Sequence, residues 1–261
     1  MTDPLGQSQV LPYLSHLSKL NYEIIVLSVE KEDNFFKNKA AIDCICKEFD
    51  LGWEYIYYTK KPPVLSTMRD ISKLKKKARV LNNIKPVDIV HCRSYVASLV
   101  GLWMKKRFGL KMVFDMRGFW ADERVDGGIW DMKIPIFKWV YSFFKNKERE
   151  YLLNADASVS LTYNGKKEIL SWEYMKGIND NISIVPCCAD LNHFNYEKVY
   201  ENEILKVNLG IPEENYVICY LGSVGTWYMM EEMLDYFKVH LAKFPESTFL
   251  WITKDSADEI M

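Results

Sequence analysis

Short apolar segments alternate with segments of helical length along most of the chain, and this alternation constrains the fold more than any other feature. The apolar segments of the first part are Glu23–Val29, Trp53–Tyr58, Val87–His91, Lys111–Asp115, Ala157–Leu161 and Ile182–Val185. The segments between them are long enough to form helices, so successive strands would be joined by right-handed crossovers. The pattern therefore predicts an α/β fold with a doubly wound parallel sheet covered by helices on both faces.

A second β-α-β pattern follows a charged segment of weak periodicity, residues 186–212. Tyr216–Leu221 and Thr248–Thr253 are predicted strands, and Trp227–Leu241 between them is a predicted helix. Two strands are too few to enclose a core of their own. We therefore expect residues 191–261 to hold a linker and an incomplete second Rossmann-like domain.

The first predicted helix, Gln9–Leu20, follows a turn rather than a strand. In doubly wound folds a strand normally precedes such a turn and lies near the centre of the sheet. We therefore expect a strand upstream of the given sequence, and a gap in the sheet where it would lie. The first domain is predicted as residues 1–190.

Composition and charge exclude several classes of function. The net charge of −1 gives no general attraction for nucleic acid. The six cysteines include no CxxC pair and the four histidines are scattered, so no metal site is predicted. No signal peptide or membrane-spanning segment is evident, which predicts a cytoplasmic protein with reduced thiols.

The predicted functional groups lie where strands lead into helices, the usual ligand-binding edge of open α/β sheets. Gly6 and Gln7 precede the first helix, where they indicate either a phosphate loop or a plain helix cap. Arg93 follows the third strand and can bind a phosphate or carboxylate in bidentate fashion. Two glycines in Gly222–Thr226 follow a strand of the second domain and suit a diphosphate.

The most informative loop is Phe114–Gly128, which combines many charged side chains with Phe119, Trp120 and a double glycine. A solvated loop has no need of two large aromatic residues, and a core segment would not hold so many charges. Gly118 permits close backbone approach or a positive φ angle. This combination favours a binding or catalytic loop.

Two predicted helices are both basic and rich in apolar residues, and two interpretations of them stay open. Ser66–Lys85 carries several lysines, and Met132–Lys147 combines lysines with aromatic residues. Such helices can lie in a membrane interface or hold a lipid-linked acceptor, which would place the protein peripherally at the inner face of the membrane. Alternatively, the charges form a solvated face and the aromatic residues belong to the core.

Six segments, in order along nearly the whole chain, resemble landmarks of the retaining glycosyltransferases of family 4. They are DPLGQSQVL (Asp3–Leu11), HCRSY (His91–Tyr95), FDMRGFWADERVD (Phe114–Asp126), ADASVSLT (Ala155–Thr162), IVPCCADLNHF (Ile184–Phe194) and YLGSVGT (Tyr220–Thr226). The fifth is similar to an interdomain segment with Pro-Asn-Gly-Val-Asp, with cysteines at the Asn-Gly positions. The resemblance implies a GT-B enzyme with an N-terminal acceptor domain, a second nucleotide-sugar domain, and no obligatory metal or cofactor.

The resemblance also implies roles for individual residues. Asp115, Arg117 and Glu123 would be catalytic, and either Asp115 or Glu123 would orient an acceptor hydroxyl. The residues implied in binding the acceptor or a phosphate are Gly6, Gln7, Arg93 and Gly118. Those implied in binding the donor diphosphate are Gly222, Gly225 and Thr226.

The chain departs from the family pattern in two respects. Many members carry a His-Asp pair where this sequence has Phe114-Asp115, so the histidine role has no assigned residue. The Glu-x7-Glu donor motif would lie beyond Met261, and we expect a chain without it to bind donor weakly and turn over poorly.

Two alternative functions remain open at this point. A GT-B-like sugar-nucleotide epimerase would need acid and base residues without an acceptor pocket. A catalytically inactive acceptor-binding module would bind ligand without transfer. A dinucleotide-dependent dehydrogenase is disfavoured, because no GxGxxG follows a strand with an acidic residue about twenty positions on.

Overall fold

The computed structural model describes residues 1–62, 64–189, 191, 194–195, 205–225 and 228–256, and its paired strands are all parallel. The strands are β1 (Ile24–Glu30), β2 (Leu51–Tyr57), β3 (Ile89–Arg93), β4 (Lys111–Asp115), β5 (Ala157–Ser160), β6 (Ile182–Ile184), β7 (Tyr216–Leu221) and β8 (Ser247–Ile252). The helices are α1 (Leu11–Ser18), α2 (Glu32–Glu48), α3 (Leu65–Ile84), α4 (Ser94–Phe108), α5 (Trp120–Asp126), α6 (Pro135–Asn154), α7 (Tyr163–Ser171), α8 (Leu205–Asn208) and α9 (Met230–Lys243). The predicted α/β fold class is confirmed, and each predicted strand begins and ends within two residues of an observed one.

The chain divides into two compact units. Unit 1 comprises residues 1–122 and 135–188, and unit 2 comprises residues 123–134 and 189–261. The assignment of domains to residues 1–190 and 191–261 remains a prediction.

The described strands of unit 1 form two parallel sheets rather than one. The first contains β1 and β2, and the second has the order β3-β4-β5-β6. The expected strand upstream of the given sequence remains a prediction. Helix α3 packs against β1 and β2 and also against α4, which covers β3 and β4, so one helical layer spans both sheets.

Alternate residues of β1 pack into two different cores, as a strand covered on both faces requires. Ile24 and Val26 pack with the buried residues Leu11 and Ile42 of helices α1 and α2. The residues of β1 on the opposite face, Leu27 and Val29, pack with a cluster from α3 and α4 that includes Leu74, Val100 and Met104. The helices therefore lie on both faces of the sheet, as the doubly wound prediction states.

Helix α4 leads away from the carboxyl end of β3 and ends at Gly109. This glycine has a φ of 74°, and its N–H donates to the carbonyl of Lys105 at 2.9 Å. A left-handed residue of this kind closes a helix at little cost only when it is glycine. The last turn carries Lys105, Lys106 and Arg107, whose charges complement the negative end of the helix dipole.

Asp156 fastens β4 to the start of β5. Its carboxylate accepts from the backbone N–H of Met112 at 2.8 Å and from the side chains of Lys105 and Lys111. Burial acts to raise the pKa of this carboxyl group, but these hydrogen bonds outweigh it and hold the pKa well below its ordinary value.

We expect Asp156→Asn to lower the free energy of unfolding by about 1–2 kcal/mol at neutral pH, because hydrogen bonds to a charged acceptor are lost. A lowered folded-state pKa contributes stability above the pKa of the unfolded chain, and this contribution disappears as the pH falls through the folded value. The difference between wild type and variant should therefore shrink below about pH 4 in urea unfolding. A difference that stays constant down to pH 2 would contradict this assignment.

Unit 2 contains the start of a second β-α-β arrangement. Strands β7 and β8 pair in parallel with Tyr216 opposite Ser247, and α9 connects them. The helix begins at Met230, later than the predicted Trp227, which lies outside the described residues. Among the described helices, none combines the length and apolar character needed to cross a bilayer.

Candidate functional site

Asp115 lies at the centre of the candidate site in unit 1. It ends β4, and the β3–β4 register places Arg93, the last residue of β3, directly opposite. Its side chain is buried, with the residue 5% exposed. The carboxyl ends of neighbouring parallel strands thus bring together two of the residues predicted from their positions in separate loops.

Two arginines and a histidine surround the Asp115 carboxylate without making a close ion pair. His91 Nε2 lies 3.4 Å and Arg93 Nη1 3.8 Å from Oδ2, while Arg117 Nε lies 3.9 Å from Oδ1. Oδ1 is buried and has no hydrogen-bond partner in the described part of the chain. Native proteins leave few buried polar atoms unsatisfied, and each one points to strain or to a function.

His91 provides an imidazole beside Asp115 although the residue before Asp115 is Phe114. The local motif contains no histidine, because the residue directly before Asp115 in the chain is a phenylalanine. Parallel pairing supplies a histidine from β3, two residues before Arg93, at the same carboxylate. Tyr13 of α1 packs edge-on against the His91 ring, with centroids 6.1 Å apart.

Gln9 joins the two arginines, and sequence reasoning missed it. Its Oε1 accepts from Arg93 Nη2 at 2.6 Å and from Arg117 Nη2 at 2.9 Å. Burial lowers the pKa of the Arg93 guanidinium, and the nearby charge of Arg117 lowers it further. A neutral amide oxygen satisfies donors but cancels no charge, so this arginine pair favours an anionic ligand.

The segment after Asp115 has strained backbone geometry. Arg117 has a φ of 60°, Gly118 a φ of 142°, and Ser94, just after Arg93, a φ of 71°. Residues other than glycine adopt positive φ values only at an energetic cost, and residues strained in this way concentrate at functional sites. Gly118 adopts a positive φ, one of the two arrangements that a glycine permits at this position. Arg117 is held in this conformation with its guanidinium near Cys187, whose Sγ lies 3.7 Å from Nη2.

A buried polar cluster supports this segment from behind. Tyr95 Oη donates to Glu148 and lies 3.4 Å from the carbonyl oxygen of Gly118. Lys145 Nζ lies 2.6 Å from Glu148 and 2.8 Å from Asp122. Burial raises the pKa of Glu148, although hydrogen bonds from Lys145 and Tyr95 act in the opposite direction. The cluster fixes both ends of the segment from Gly118 to Asp122.

The aromatic residues of the predicted binding loop are packed within unit 1. Phe119 lies against Trp172, with ring centroids 5.7 Å apart, and Trp120 stacks on Tyr95 at the same separation. Their presence among charged residues is therefore explained by packing. Glu123, further along α5, is exposed and belongs to unit 2.

Gly6 and Gln7 have structural contacts of their own. A Cβ on Gly6 would lie 2.5 Å from the carbonyl oxygen of Met1, so only glycine fits there. Gln7 Nε2 donates to the carbonyl oxygen of Thr2 at 2.8 Å. Both residues belong to a short π-helix, Gly6–Val10, which also contains Gln9. Their roles in ligand binding remain predictions.

The predicted donor loop lies in unit 2 after β7. Gly225 has a φ of 117° with no atom near its missing Cβ, and a Cβ on Gly222 would lie 2.6 Å from Tyr220 Oη. The backbone N–H of Val224 donates to Asp255 Oδ2 at 2.7 Å, so this turn already presents an N–H to an anionic oxygen. Thr226 lies outside the described residues.

No metal site is evident in the part of the chain that the structure describes. Its His, Cys, Asp and Glu side chains include no group of three or more that could hold a metal ion. The expectation that activity requires no metal or cofactor remains a prediction.

Comparisons with known proteins are informative only at the level of structure. No family model matches the sequence, and no curated protein matches it. HepE of Anabaena, in complex with UDP and glucose, is 9% identical with a TM-score of 0.48, over 91% of this chain and 70% of its own.

Two further structures are more similar in fold. Sucrose-phosphate synthase from Thermosynechococcus elongatus is 12% identical with a TM-score of 0.54, over 91% of this chain and 64% of its own. UGT89C1 of Arabidopsis thaliana, complexed with UDP, is 14% identical with a TM-score of 0.51, over 96% of this chain and 64% of its own. The chain thus spans about two thirds of these proteins and has the Rossmann-like GT-B fold of glycosyltransferases.

Proposed function

We propose that this chain is part of a retaining glycosyltransferase of family 4, which transfers a sugar from a nucleotide-sugar to a glycan or lipid-linked acceptor. Unit 1 would bind the acceptor and unit 2 the donor. The observation that carries the proposal is the convergence of Arg93, Arg117 and His91 on the buried Asp115, at the ligand-binding edge of a GT-B fold.

The charges of this cluster suit a reaction in which negative charge develops. Sugar transfer breaks the bond between the anomeric carbon and the diphosphate, and the diphosphate leaves with the bonding electrons. The arginine pair would hold an anionic group of the acceptor or of the leaving diphosphate, which stabilises charge through groups already in position. Gln9 would keep the two guanidinium groups oriented before the ligand arrives.

Asp115 would act on the acceptor. An acceptor hydroxyl could donate to the Asp115 carboxylate, whose Oδ1 has no hydrogen-bond partner among the described residues. The hydroxyl oxygen would then form the new bond to the anomeric carbon as the bond to the diphosphate breaks, and its proton would pass to the Asp115 carboxylate. His91 Nε2 lies 3.4 Å from the same carboxylate and would help to orient it. Glu123 remains the other candidate for orienting an acceptor hydroxyl.

The donor half of the proposal rests on the turn after β7. Gly225 has open space at its missing Cβ and would let a diphosphate approach the backbone. Gly222 remains a predicted donor residue, and Thr226 would add a hydroxyl donor. UGT89C1, which shares the fold, was determined with UDP, so UDP-sugars are the first donors to test.

Donor binding is tested by isothermal titration calorimetry with UDP-sugars and GDP-sugars. We expect Gly225→Ala to weaken binding by about 10-fold or more, because the methyl group would separate the phosphate from the backbone N–H groups. Gly210→Ala is the matched control, since Gly210 also has a positive φ and open space around its missing Cβ. Equal loss in both variants would place the effect in folding and contradict donor binding at this turn.

Transfer itself is tested with labelled donor and with lipid-linked and glycan acceptors, followed by analysis of the anomeric configuration of the product. A transferred sugar with retained configuration is the expected product. Epimerised nucleotide-sugar without transfer would overturn the proposal in favour of an epimerase. Donor binding without either product would indicate a binding module.

A further inference from the structure

A groove on the surface of unit 1 combines apolar and basic side chains and lies outside the cluster around Asp115. It has a volume of about 460 Å³ between helices α3, α4 and α6. Its lining residues are Met68, Ile71, Ser72, Lys75, Leu99, Leu102, Trp103, Lys106, Phe143, Lys147 and Glu150. We call this surface, together with Trp139 and Arg79 at its edge, the basic groove.

The apolar residues of the basic groove remain accessible. Met68 and Trp139 are both 57% exposed, and Trp139 stacks on Phe143 with ring centroids 5.9 Å apart. Leu65 and Ile136, at the starts of α3 and α6, are also exposed. Exposed apolar side chains grouped beside a groove favour an interaction site over a purely solvated face.

The charged residues of the basic groove are arranged around the aromatic rings. Lys75 Nζ lies 5.7 Å and Arg79 Cζ 5.4 Å from the centre of the Trp103 ring. Glu150 is the one acidic residue of the lining, and it pairs with both Lys106 and Lys147 at 2.5 and 2.6 Å. The groove is therefore positive in a chain whose net charge is −1.

From this pattern we infer that the basic groove docks on a membrane surface containing anionic lipids. Lysine and arginine heads would contact the lipid phosphates, while Trp139 and Met68 would enter the region between the headgroups and the acyl chains. An acidic protein partner could bind the lysine and arginine side chains of the groove, but its binding would not require exposed tryptophan and methionine beside them. A second copy of the chain would bring the same positive groove against itself, and like charges oppose such contact.

Vesicle flotation of the full chain tests this inference. We expect binding to vesicles of phosphatidylcholine mixed with phosphatidylglycerol, weak binding to phosphatidylcholine alone, and release by salt. Replacing Lys75 and Lys106 with glutamine should lower the vesicle partition coefficient by roughly 10–30-fold. Lys37→Gln with Lys47→Gln removes the same charge from exposed positions on α2 and should have a much smaller effect.

Insertion of the aromatic side chain is tested separately. Trp139→Gln should lower the partition coefficient by about 10-fold, whereas Tyr163→Gln, at an exposed aromatic position on α7, should leave it unchanged. In the wild type, the tryptophan emission should shift to the blue when anionic vesicles are added, and this shift should be smaller in Trp139→Gln.

Three results would overturn the inference. Absence of binding to anionic vesicles, or equal effects of the groove and control variants, would show that the groove does not contact lipid. Self-association that is abolished by Trp139→Gln would assign the groove to a second copy. None of these outcomes depends on sugar transfer, so the inference of membrane docking and the proposed enzyme activity can be disproved independently.

Discussion

Arg117→Ala is expected to reduce the rate of sugar transfer by about 100-fold or more, the effect typical of removing one positioned donor from a charge-stabilising site. The guanidinium of Arg117 reaches Gln9 at 2.9 Å and Asp115 at 3.9 Å, and its backbone is held at a positive φ. Removing it leaves Arg93 as the one guanidinium next to this carboxylate among the described residues. The measurement is kcat/KM with the donor and acceptor found in the transfer assay.

Two further variants separate binding from folding. Arg117→Lys keeps the charge but loses the planar pair of donors, so it should restore only part of the activity. Arg107→Ala removes an exposed arginine at the end of α4 and should leave activity unchanged. The opposite outcome is a strongly lowered melting temperature in Arg117→Ala together with an unchanged kcat/KM for the molecules that remain folded. That result would show that Arg117 is a structural partner of Asp115.

Glu148→Ala is expected to lower the free energy of unfolding by about 2–3 kcal/mol, because it leaves the buried Tyr95 hydroxyl without its acceptor, whereas Lys145 keeps its pair with Asp122. Glu148 is 1% exposed, pairs with Lys145 at 2.6 Å and accepts from Tyr95 Oη. Its loss would leave the buried Tyr95 hydroxyl with only the distant carbonyl of Gly118. The measurement is urea unfolding followed by circular dichroism.

Matched substitutions test whether burial is the cause. Glu173→Ala removes an exposed glutamate that also pairs with a lysine, Lys176, and should change stability by less than about 1 kcal/mol. Glu148→Gln keeps the shape and an acceptor oxygen, so it should cost less than the alanine variant. A loss of under 1 kcal/mol in Glu148→Ala would show that the cluster contributes little to stability.

The cluster around Glu148 also links stability to the site. Tyr95 follows Ser94 at the start of α4 and touches the carbonyl of Gly118, one residue after Arg117. A variant that loosens this contact should therefore disturb Arg117 as well as the core. In Glu148→Gln, activity should fall more than the small loss of stability predicts, and added urea below the unfolding transition should increase that fall.

The local pattern of the sequence was sufficient to predict the strands and helices and the edge of the sheet at which the candidate site lies. Strand and helix periodicities depend on residues a few positions apart, so each predicted strand is observed within two residues. Arg93, Asp115 and Arg117 could be singled out because parallel strands deliver their carboxyl-terminal residues to one edge. The turn glycines Gly118 and Gly225 have the positive φ values that such turns require.

Contacts between distant residues could not be obtained from the sequence. Gln9 meets arginines 84 and 108 positions away, and no local pattern distinguishes it from the neighbouring Gln7. His91 reaches Asp115 only because β3 and β4 pair in this register.

Packing also produces contacts that composition alone does not indicate. Trp120, part of the predicted binding loop, stacks on the buried Tyr95, and a role of this loop in binding remains a prediction. Glu148, which follows directly after the predicted basic stretch Met132–Lys147, is buried in the core, where it accepts from Tyr95 and pairs with Lys145. Periodicity thus determined which strands and helices form and at which edge of the sheet their ends meet. The tertiary structure alone decided which side chains surround a buried charge, because that depends on distances between atoms far apart in the chain.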